Sequence, residues 1–165
     1  MTGFELKTIS RDGIPNALEK AERYRLLNDP QQAESICYDI LAVDADNQQA
    51  LRVLILALTD QFTAFAGGNA QDARRQICKL TDEYERAYYM GLVYERETRA
   101  YLEHSNIVRA AAYDGFRQAM EWYERAEELA PPGSVDAILR WNSCVRAIER
   151  EHLEPETIAY ELPLE

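Results

Sequence analysis

The chain has 165 residues, of which 47% are hydrophobic, and its 29 acidic and 18 basic side chains give a formal net charge of −11. This charge opposes binding to a phosphate backbone, so nucleic acid is not expected as a partner. Length and composition predict one folded domain. No apolar run approaches the roughly 18 residues that span a bilayer, and the sequence does not open on a basic stretch followed by an apolar one. We therefore expect a cytoplasmic protein that does not associate with membranes.

The amino-terminal part predicts an arm followed by a helix. Residues 1–12 alternate weakly between apolar and polar types, which favours an extended or disordered segment. Pro15 suits the first turn of a helix, because its missing amide hydrogen would have no partner there. Apolar residues then recur at intervals of three and four and predict a first helix over 15–27. Its inward face comprises Ala17, Leu18, Ala21, Tyr24 and Leu27.

Capping residues mark the next two helices. Asp29 is a favourable N-cap, and Pro30 fits the first position of the helix that follows. Gln32 stands where a capping box requires Glu or Gln. Asn47 is expected to cap a third helix in the same way.

Glycines and polar residues separate the third, fourth and fifth helices. The Gly-Gly-Asn sequence at 67–69 predicts the end of the third helix, because two glycines are costly inside a helix. The fourth helix is then predicted over 70–81. Thr81 or Asp82 is expected to cap the fifth.

The last two helices are predicted from a loop, a turn and a cap. Residues 104–106 form the expected loop, and a sixth helix follows it to about residue 129, with a possible break at 114–115. The Pro-Pro-Gly sequence at 131–133 forces a turn, after which Ser134 is expected to cap a seventh helix. The inward face of that helix comprises Ala137, Ile138, Trp141, Val145 and Ile148.

The seven predicted helices indicate an all-α fold, and the sequence after them predicts no further helix. Residues 152–165 contain two prolines and several glutamates but no basic side chain, which predicts an irregular acidic tail. The three cysteines, Cys37, Cys78 and Cys144, are odd in number and stand among apolar residues. Reduced thiols in the core are therefore expected instead of a disulfide framework or a zinc site.

A small-large-small pattern repeats along the helices. Its clearest copy consists of Phe116, Ala119, Tyr123, Ala126 and Pro131. Intervals of three and four place the first four of these residues on one helix face, and the proline ends the helix. Similar steps begin at the alanines in positions 33 and 73. In the helices before them, Leu51-Leu54-Ile55-Leu58 and Ala87-Met90-Gly91-Tyr94 also match.

This pattern resembles the tetratricopeptide repeat family. The resemblance implies antiparallel helix pairs stacked as a short right-handed superhelix over 13–151, with about three pairs and a carboxy-terminal capping helix. The repeating alanines lie further apart than the family's period of about 34 residues, and Ala45 stands where the family has proline. An ordinary antiparallel helix bundle would show the same stripes, because small residues ease any close helix crossing. That alternative remains open.

The resemblance implies a concave groove lined by the first helix of each pair. The family's groove positions fall on Arg25, Arg52, Leu56, Tyr88, Leu92, Glu95 and Leu139, beside Leu18, Glu22, Gln49, Thr59, Glu85 and Ser143. Such a lining suits an extended or helical peptide, with Tyr and Arg as the main anchors. The Lys and Asn residues with which one subfamily clamps a terminal carboxylate are not found at these positions. An ordinary surface or interhelix contact is the alternative for Tyr88 and Arg52.

Tyrosines gather around the fifth and sixth helices, at positions 84, 88, 89, 94, 101 and 113. Because consecutive Tyr88 and Tyr89 must point to different sides of a helix, one core stripe does not accommodate all six rings. Some of them are expected to face a groove or a partner. The alternative is that the helix pair packs its tyrosines on itself.

An enzymatic function has little support in the sequence. Glu149 and His152 form one Glu-x-x-His motif, whereas a di-iron bundle requires two, and His104 has no carboxylate three residues before it. No Gly-rich phosphate loop and no nucleophile beside a histidine is evident. No catalytic residue, metal or cofactor is therefore expected.

The leading expectation is a non-enzymatic adaptor or scaffold that binds a protein or peptide through the groove. The overall acidity suggests a basic or amphipathic partner. The alternative is a self-associating helical protein, in which the seventh helix or the acidic tail packs on a second copy. A metal-dependent helical enzyme that uses Glu149 and His152 is a third hypothesis.

Overall fold

The computed structural model describes residues 3–62, 67–104 and 109–157, which form seven α-helices and no strand. The helices are α1 (Ile14–Leu26), α2 (Pro30–Val43), α3 (Gln48–Asp60), α4 (Gly67–Ile77), α5 (Glu83–His104), α6 (Arg109–Leu129) and α7 (Asp136–Arg150). A turn of 3-10 helix, Arg11–Gly13, precedes α1. The predicted all-α fold is confirmed. Of the loop expected at 104–106, His104 is instead the last residue of α5, and residues 105–106 lie outside the described residues, as does the tail from 158 onwards.

Each helix packs against the next one in the chain, and a second set of contacts joins the odd-numbered helices. These contacts link α1 to α3, α3 to α5, and α5 to α7. The odd-numbered helices therefore adjoin one another in series. None of the helices in the described part of the chain is both long enough and apolar enough to cross a lipid bilayer.

Three of the predicted caps are present. The side-chain oxygen of Asp29 accepts a hydrogen bond of 3.2 Å from the amide of Gln32, at the start of α2. Asn47 accepts one of 2.9 Å from the amide of Ala50 and so caps α3. Before α5 the capping residue is Asp82, which accepts from the Glu85 amide at 3.1 Å. Each bond satisfies a helix amide that has no intrahelical partner.

The prediction that glycines end the third helix was wrong. α3 already ends at Asp60, and the Gly-Gly-Asn sequence at 67–69 forms the first turn of α4. Glycine is costly in a helix interior, but at a helix start the cost is small. α4 also ends at Ile77, four residues before the predicted boundary at 81.

Two predictions about the last helices were also wrong. Ser134 does not cap α7, which begins at Asp136 after Val135 and has no side-chain cap. The Ser134 hydroxyl instead lies 3.2 Å from that of Tyr84 on α5, which ties the turn before α7 to another helix. The possible break at 114–115 is absent, because α6 runs unbroken from Arg109 to Leu129.

Several residues expected in the core lie at the surface. Leu27 follows the last residue of α1, so helical periodicity no longer directs its side chain inward, and it is exposed. Ile138 is exposed on the first turn of α7. Cys78 is exposed just after α4, whereas Cys37 and Cys144 are buried free thiols. Burial raises the pKa of each buried thiol to about 12, since it disfavours the charged thiolate.

The core consists of adjoining apolar clusters. The first lies between α1, α2, α3 and α4 and includes Leu51, Leu54 and Leu58 of α3, which are fully buried. The second lies between α5, α6 and α7 and contains Phe116 and Tyr123. Leu153, beyond the end of α7, is also buried in the second cluster. α5 joins the two clusters, because its Val93 belongs to the first and its Ala87 to the second.

Candidate functional site

Two glycines bring α5 and α6 into close contact. A Cβ atom on Gly91 of α5 would lie 2.7 Å from Cε1 of Tyr123 on α6, and one on Gly115 of α6 would lie 3.2 Å from Cβ of Thr98 on α5. Gly91, nearer the start of α5, contacts Tyr123, nearer the end of α6, whereas Thr98 further along α5 contacts Gly115 earlier in α6. The two helices are therefore antiparallel. The absent side chain of Gly91 leaves the space that the Tyr123 ring occupies, and that of Gly115 leaves space for Thr98.

The close crossing buries a carboxylate with its hydrogen-bond donors. Glu95 of α5 is 1% exposed, and its Oε2 accepts a 2.7 Å hydrogen bond from the Tyr123 hydroxyl. Its Oε1 accepts a 3.0 Å bond from Nε of Arg99, and Nη1 of Arg140 on α7 lies 3.5 Å from the same oxygen. Burial, together with the charge of Glu95, raises the pKa of Tyr123. The phenol therefore remains a donor to the carboxylate.

Arg99 connects α5 with α7. Its Nη2 donates a 3.0 Å hydrogen bond to the hydroxyl of Ser143, and its guanidinium lies over the ring of Phe116, 5.4 Å from the ring centre. The neighbouring Arg140 reaches the same Glu95 carboxylate from α7. Two guanidinium groups thus share one buried carboxylate.

A second carboxylate is shared in the same way by α1, α3 and α5. Asp60, the last residue of α3, accepts hydrogen bonds from Arg25 of α1 and from Arg96 of α5, the latter at 2.6 Å. Arg96 also donates to the Thr59 hydroxyl at 2.7 Å. Arg96 and Arg99 are three residues apart on one helix and therefore lie on one face of it.

The two shared carboxylates define a line of four guanidinium groups, which we call the arginine row: Arg25, Arg96, Arg99 and Arg140. These side chains are between 22% and 36% exposed. The lining of an open depression of about 180 Å³ includes Asp60, Arg96, Arg99 and Glu103. Four cations against the two shared carboxylates and Glu103 leave the row with a surplus of one positive charge, although the whole chain is acidic.

One further ion pair joins α3 to α5 away from the row. Nη1 of Arg52 lies 3.1 Å and 3.3 Å from the two carboxylate oxygens of Glu85. Here one cation meets one anion, so this pair adds no net charge to the odd-numbered helices.

The tyrosines mostly pack within the protein. Tyr84 stacks on Tyr88 with ring centres 6.1 Å apart, and Tyr88 makes an edge contact with Tyr89 at 5.4 Å. Tyr88 also lies 5.9 Å from the ring of Tyr123 in the second core cluster. Tyr89 packs against the first core cluster, and burial raises its pKa to about 12. Consecutive tyrosines therefore point to different clusters, and both are partly buried.

The predicted groove residues differ in their access to solvent. Arg25 and Arg52 are partly exposed and paired with acids, Leu56 and Tyr88 are partly buried, and Leu139 is 59% exposed. Leu92 and Glu95, by contrast, are at most 1% exposed, so their side chains are closed to a partner.

Of the predicted groove residues, Arg25 belongs to the arginine row. Three others contact it, namely Glu95, Thr59 and Ser143. Sequence reasoning missed Arg96, Arg99 and Arg140. The only local signal was the i, i+3 spacing of Arg96 and Arg99 directly after Glu95, which charged solvent-exposed helices also show.

No group of three or more potential metal ligands occurs among the described residues. Glu149 and His152 stand near the end of α7, and the side chain of His104 lies outside the described part of the chain. In comparisons with known proteins, no family model, no curated protein and no solved structure matches the chain.

Proposed function

We propose that this protein is a non-enzymatic adaptor or scaffold that binds a protein or peptide partner across its odd-numbered helices. The observation that carries the proposal is the series of contacts from α1 to α3, α5 and α7. Such a series presents one continuous surface built from four helices. Arg25, Arg52, Tyr88 and Leu139 all belong to these helices, and each retains some exposure.

A short superhelix of the tetratricopeptide type is the architecture that we propose for this arrangement. In such a solenoid the first helices of successive pairs adjoin and line one side, as the odd-numbered helices would here. The contact of Gly91 with Tyr123 supports the pairing of α5 with α6 as one repeat, because a glycine on the first helix admits a large ring from the second. The lengths of α5 and α6, 22 and 21 residues, depart from the family's shorter helices.

The proposal is tested with a peptide array and a pair of matched variants. Arg52→Ala and Leu139→Ser alter exposed positions on α3 and α7, and we expect each to weaken binding of the peptides that the wild-type chain retains. Arg75→Ala alters α4, where Arg75 pairs locally with Asp72 and is well exposed, and should leave binding unchanged. Retention of no peptide by the folded chain, or equal losses in all three variants, would count against a binding surface on the odd-numbered helices.

Self-association through α7 is the second candidate function. Val135, Ile138 and Leu139 are exposed around the first turn of α7, and together they form an apolar patch. Apolar patches of this kind often mark contacts between proteins. Light scattering at high concentration should then give the mass of a dimer, and Ile138→Ser with Leu139→Ser should return it to that of a monomer. A monomer mass for the wild-type chain at high concentration would exclude this candidate.

A further inference from the structure

We infer that the partner is an acidic protein segment whose Asp or Glu side chains bind the arginine row. This inference rests on the proposed function, since it names the kind of peptide that the odd-numbered helices receive. The groups of the partner that bind the row are side-chain carboxylates spread along the segment. Its basis is the charge and placement of Arg25, Arg96, Arg99 and Arg140.

The two shared acids differ in burial, since the Asp60 side chain is 24% exposed, about as much as those of Arg25 and Arg96. Glu95 is almost fully buried, whereas the four guanidinium groups retain 22% to 36% exposure. Each shared carboxylate neutralises one of the two cations that contact it, so each trio of side chains keeps about one positive charge, and Glu103 offsets one of the two. Guanidinium groups bind carboxylates through paired hydrogen bonds and are less strongly hydrated than ammonium groups. The exposed part of the row is therefore suited to a carboxylate.

Local charge outweighs the net charge of the chain for a ligand at this position. The Debye length is about 8 Å at physiological ionic strength, so acids elsewhere on the surface are largely screened from a ligand on the row. The net charge of −11 favours a basic partner, and the row favours an acidic one. Contacts within hydrogen-bond distance decide which ligand is held, while the net charge affects mainly the rate of encounter.

The geometry of the row also indicates how the acids in the ligand are spaced. Arg25 and Arg96 contact the same carboxylate, and so do Arg99 and Arg140, so the guanidinium groups of each pair lie close together. In an extended peptide, residues i and i+2 project to the same side and are separated by about 7 Å. We therefore expect acidic residues at alternate positions, with apolar or aromatic residues between them.

A long nucleic acid is a poorer match than a peptide. A polyanion of that size would extend beyond the row and over the remaining acidic surface, where like charges repel it. A short acidic segment needs to contact only the row and the partly exposed apolar groups beside it, such as Phe62, which lines the same depression as Arg96 and Arg99.

Three pools of fluorescein-labelled 12-residue peptides test the inference. Each pool has Leu, Tyr or Ser at every second position, and the positions between carry Glu in the first pool, Gln in the second and Lys in the third. Fluorescence anisotropy should show the Glu pool binding about tenfold more tightly than the Gln pool at physiological ionic strength. This preference should shrink as salt is raised. The Lys pool should bind more weakly than either.

The double variant Arg25→Gln/Arg140→Gln removes two positive charges from the row and leaves each shared carboxylate one arginine. Asp60 keeps Arg96, and Glu95 keeps Arg99 and Tyr123, so no acid loses all its partners. We expect a loss of about tenfold or more in affinity for the Glu pool. The control Arg75→Gln/Arg125→Gln makes the same change in charge on α4 and α6 and should change that affinity by less than about twofold. Circular dichroism should be used to check that both variants are folded.

Other outcomes would overturn the inference in distinguishable ways. Preference for the Gln or Lys pool would reject the acidic partner while leaving the proposed function intact, whereas no binding of any pool would count against the proposed function itself. Equally tight binding of a labelled 12-nucleotide single strand would reassign the row to nucleic acid. A chain shortened to residues 1–157 that binds the Glu pool tenfold more tightly would show that residues 158–165 occupy the row. A dimer that the double variant dissociates would assign the row to a second copy.

Discussion

The Tyr123 hydroxyl donates a hydrogen bond of 2.7 Å to the Glu95 carboxylate, and both side chains are buried between α5 and α6. A buried carboxylate requires donors, because desolvation of an unpaired charge costs several kcal/mol. Tyr123, Arg99 and Arg140 supply them from three helices. The same carboxylate thus fixes the packing of α5, α6 and α7 and holds two members of the arginine row in place.

Tyr123→Phe removes this hydrogen bond while retaining the ring. We expect the free energy of unfolding to fall by about 1.5–3 kcal/mol, the range for bonds to charged groups. Urea denaturation followed by circular dichroism measures the change. Tyr24→Phe on α1 is the control, because that tyrosine lies at the surface and its substitution should change stability by less than about 0.5 kcal/mol. Equal effects of the two substitutions would mean that the Glu95 bond contributes nothing measurable.

Gly91→Ala should destabilise the protein even though alanine is the better helix former. The new Cβ would lie 2.7 Å and 2.8 Å from ring atoms of Tyr123, and that ring is fully buried and held by Glu95. Overpacking of this kind costs about 1–3 kcal/mol, more than the gain of up to about 1 kcal/mol in helix propensity.

Gly13→Ala is the matched control for this substitution. Its Cβ would meet Oγ of Ser10 at 3.4 Å, an ordinary contact. Thermal and urea unfolding should therefore show little change for Gly13→Ala and a clear loss for Gly91→Ala. A more stable Gly91→Ala protein would show that α5 and α6 separate at little cost.

Asp60→Asn should destabilise the contact between α1, α3 and α5. The substitution leaves the Arg25 and Arg96 guanidinium groups facing each other without the carboxylate that they share. Because all three side chains are less than a quarter exposed, we expect a loss of about 1–2 kcal/mol, between the values for surface and buried pairs.

High salt should reduce the loss of stability in Asp60→Asn, because it screens the repulsion between Arg25 and Arg96. Asp72→Asn is the control, since Asp72 pairs only locally with the well-exposed Arg75 on α4. Denaturation curves at low and high salt measure both variants. A loss for Asp60→Asn that is independent of salt would point to a hydrogen bond as its source instead of charge.

Alkaline pH should destabilise the protein from about pH 9 upward. The ordinary pKa of a cysteine thiol is 9.0, and burial raises the pKa of Cys37 and of Cys144 to about 12 in the folded chain. Burial likewise raises the pKa of Tyr89 from 10.0 to about 12. Between these values the unfolded chain has released protons that the folded chain still holds. Stability is therefore complete below pH 9 and falls as the pH rises towards 12.

Urea denaturation at pH 8, 9.5 and 10.5 tests this dependence. The denaturation midpoint should fall along the series, and Cys37→Ala with Cys144→Ala should make the decline shallower. Cys78→Ala serves as the control, because that residue is exposed. A midpoint that stays constant to pH 10.5 would contradict the expected titration.

Thiol reactivity should distinguish the cysteines. A thiol reagent such as 5,5′-dithiobis(2-nitrobenzoate) should react rapidly with Cys78 in the folded protein and only slowly with the buried Cys37 and Cys144. Addition of denaturant should make all three available. Cys78→Ser should abolish the rapid phase. A rapid phase that persists in this variant would show that a buried cysteine becomes accessible in the native state.

Features fixed by a few neighbouring residues could be predicted from the sequence. Asp29, Asn47 and Asp82 each stand three residues before the amide that they accept, so the cap is encoded locally. Helix periodicity placed Phe116, Ala119, Tyr123 and Ala126 on one face, and all four are buried.

Predictions failed where a distant contact or a helix end decided the outcome. Ser134 was expected to cap α7, but its hydroxyl lies beside that of Tyr84, which is 50 residues earlier. Leu27 and Cys78 follow the last residues of α1 and α4, where periodicity no longer applies.

The arginine row could not be predicted because its members come from three helices that meet only in the folded chain. Arg25, Arg96 and Arg140 converge on carboxylates from other parts of the sequence, and no periodic signal connects positions so far apart. The sequence suggested a groove on the odd-numbered helices through family resemblance. It did not reveal the local excess of positive charge, since the chain as a whole carries −11.

Because Gly91 contacts the Tyr123 ring, we expect the residues at these two positions to constrain each other in evolution. A descendant that gains a side chain at position 91 needs a smaller residue at position 123, and the loss of the tyrosine would leave Glu95 without one of its donors. Substitutions at the three positions should therefore occur together or not at all. Glycine, glutamate and tyrosine at this spacing form a signature by which diverged relatives of the chain can be sought, even after their surface arginines have changed.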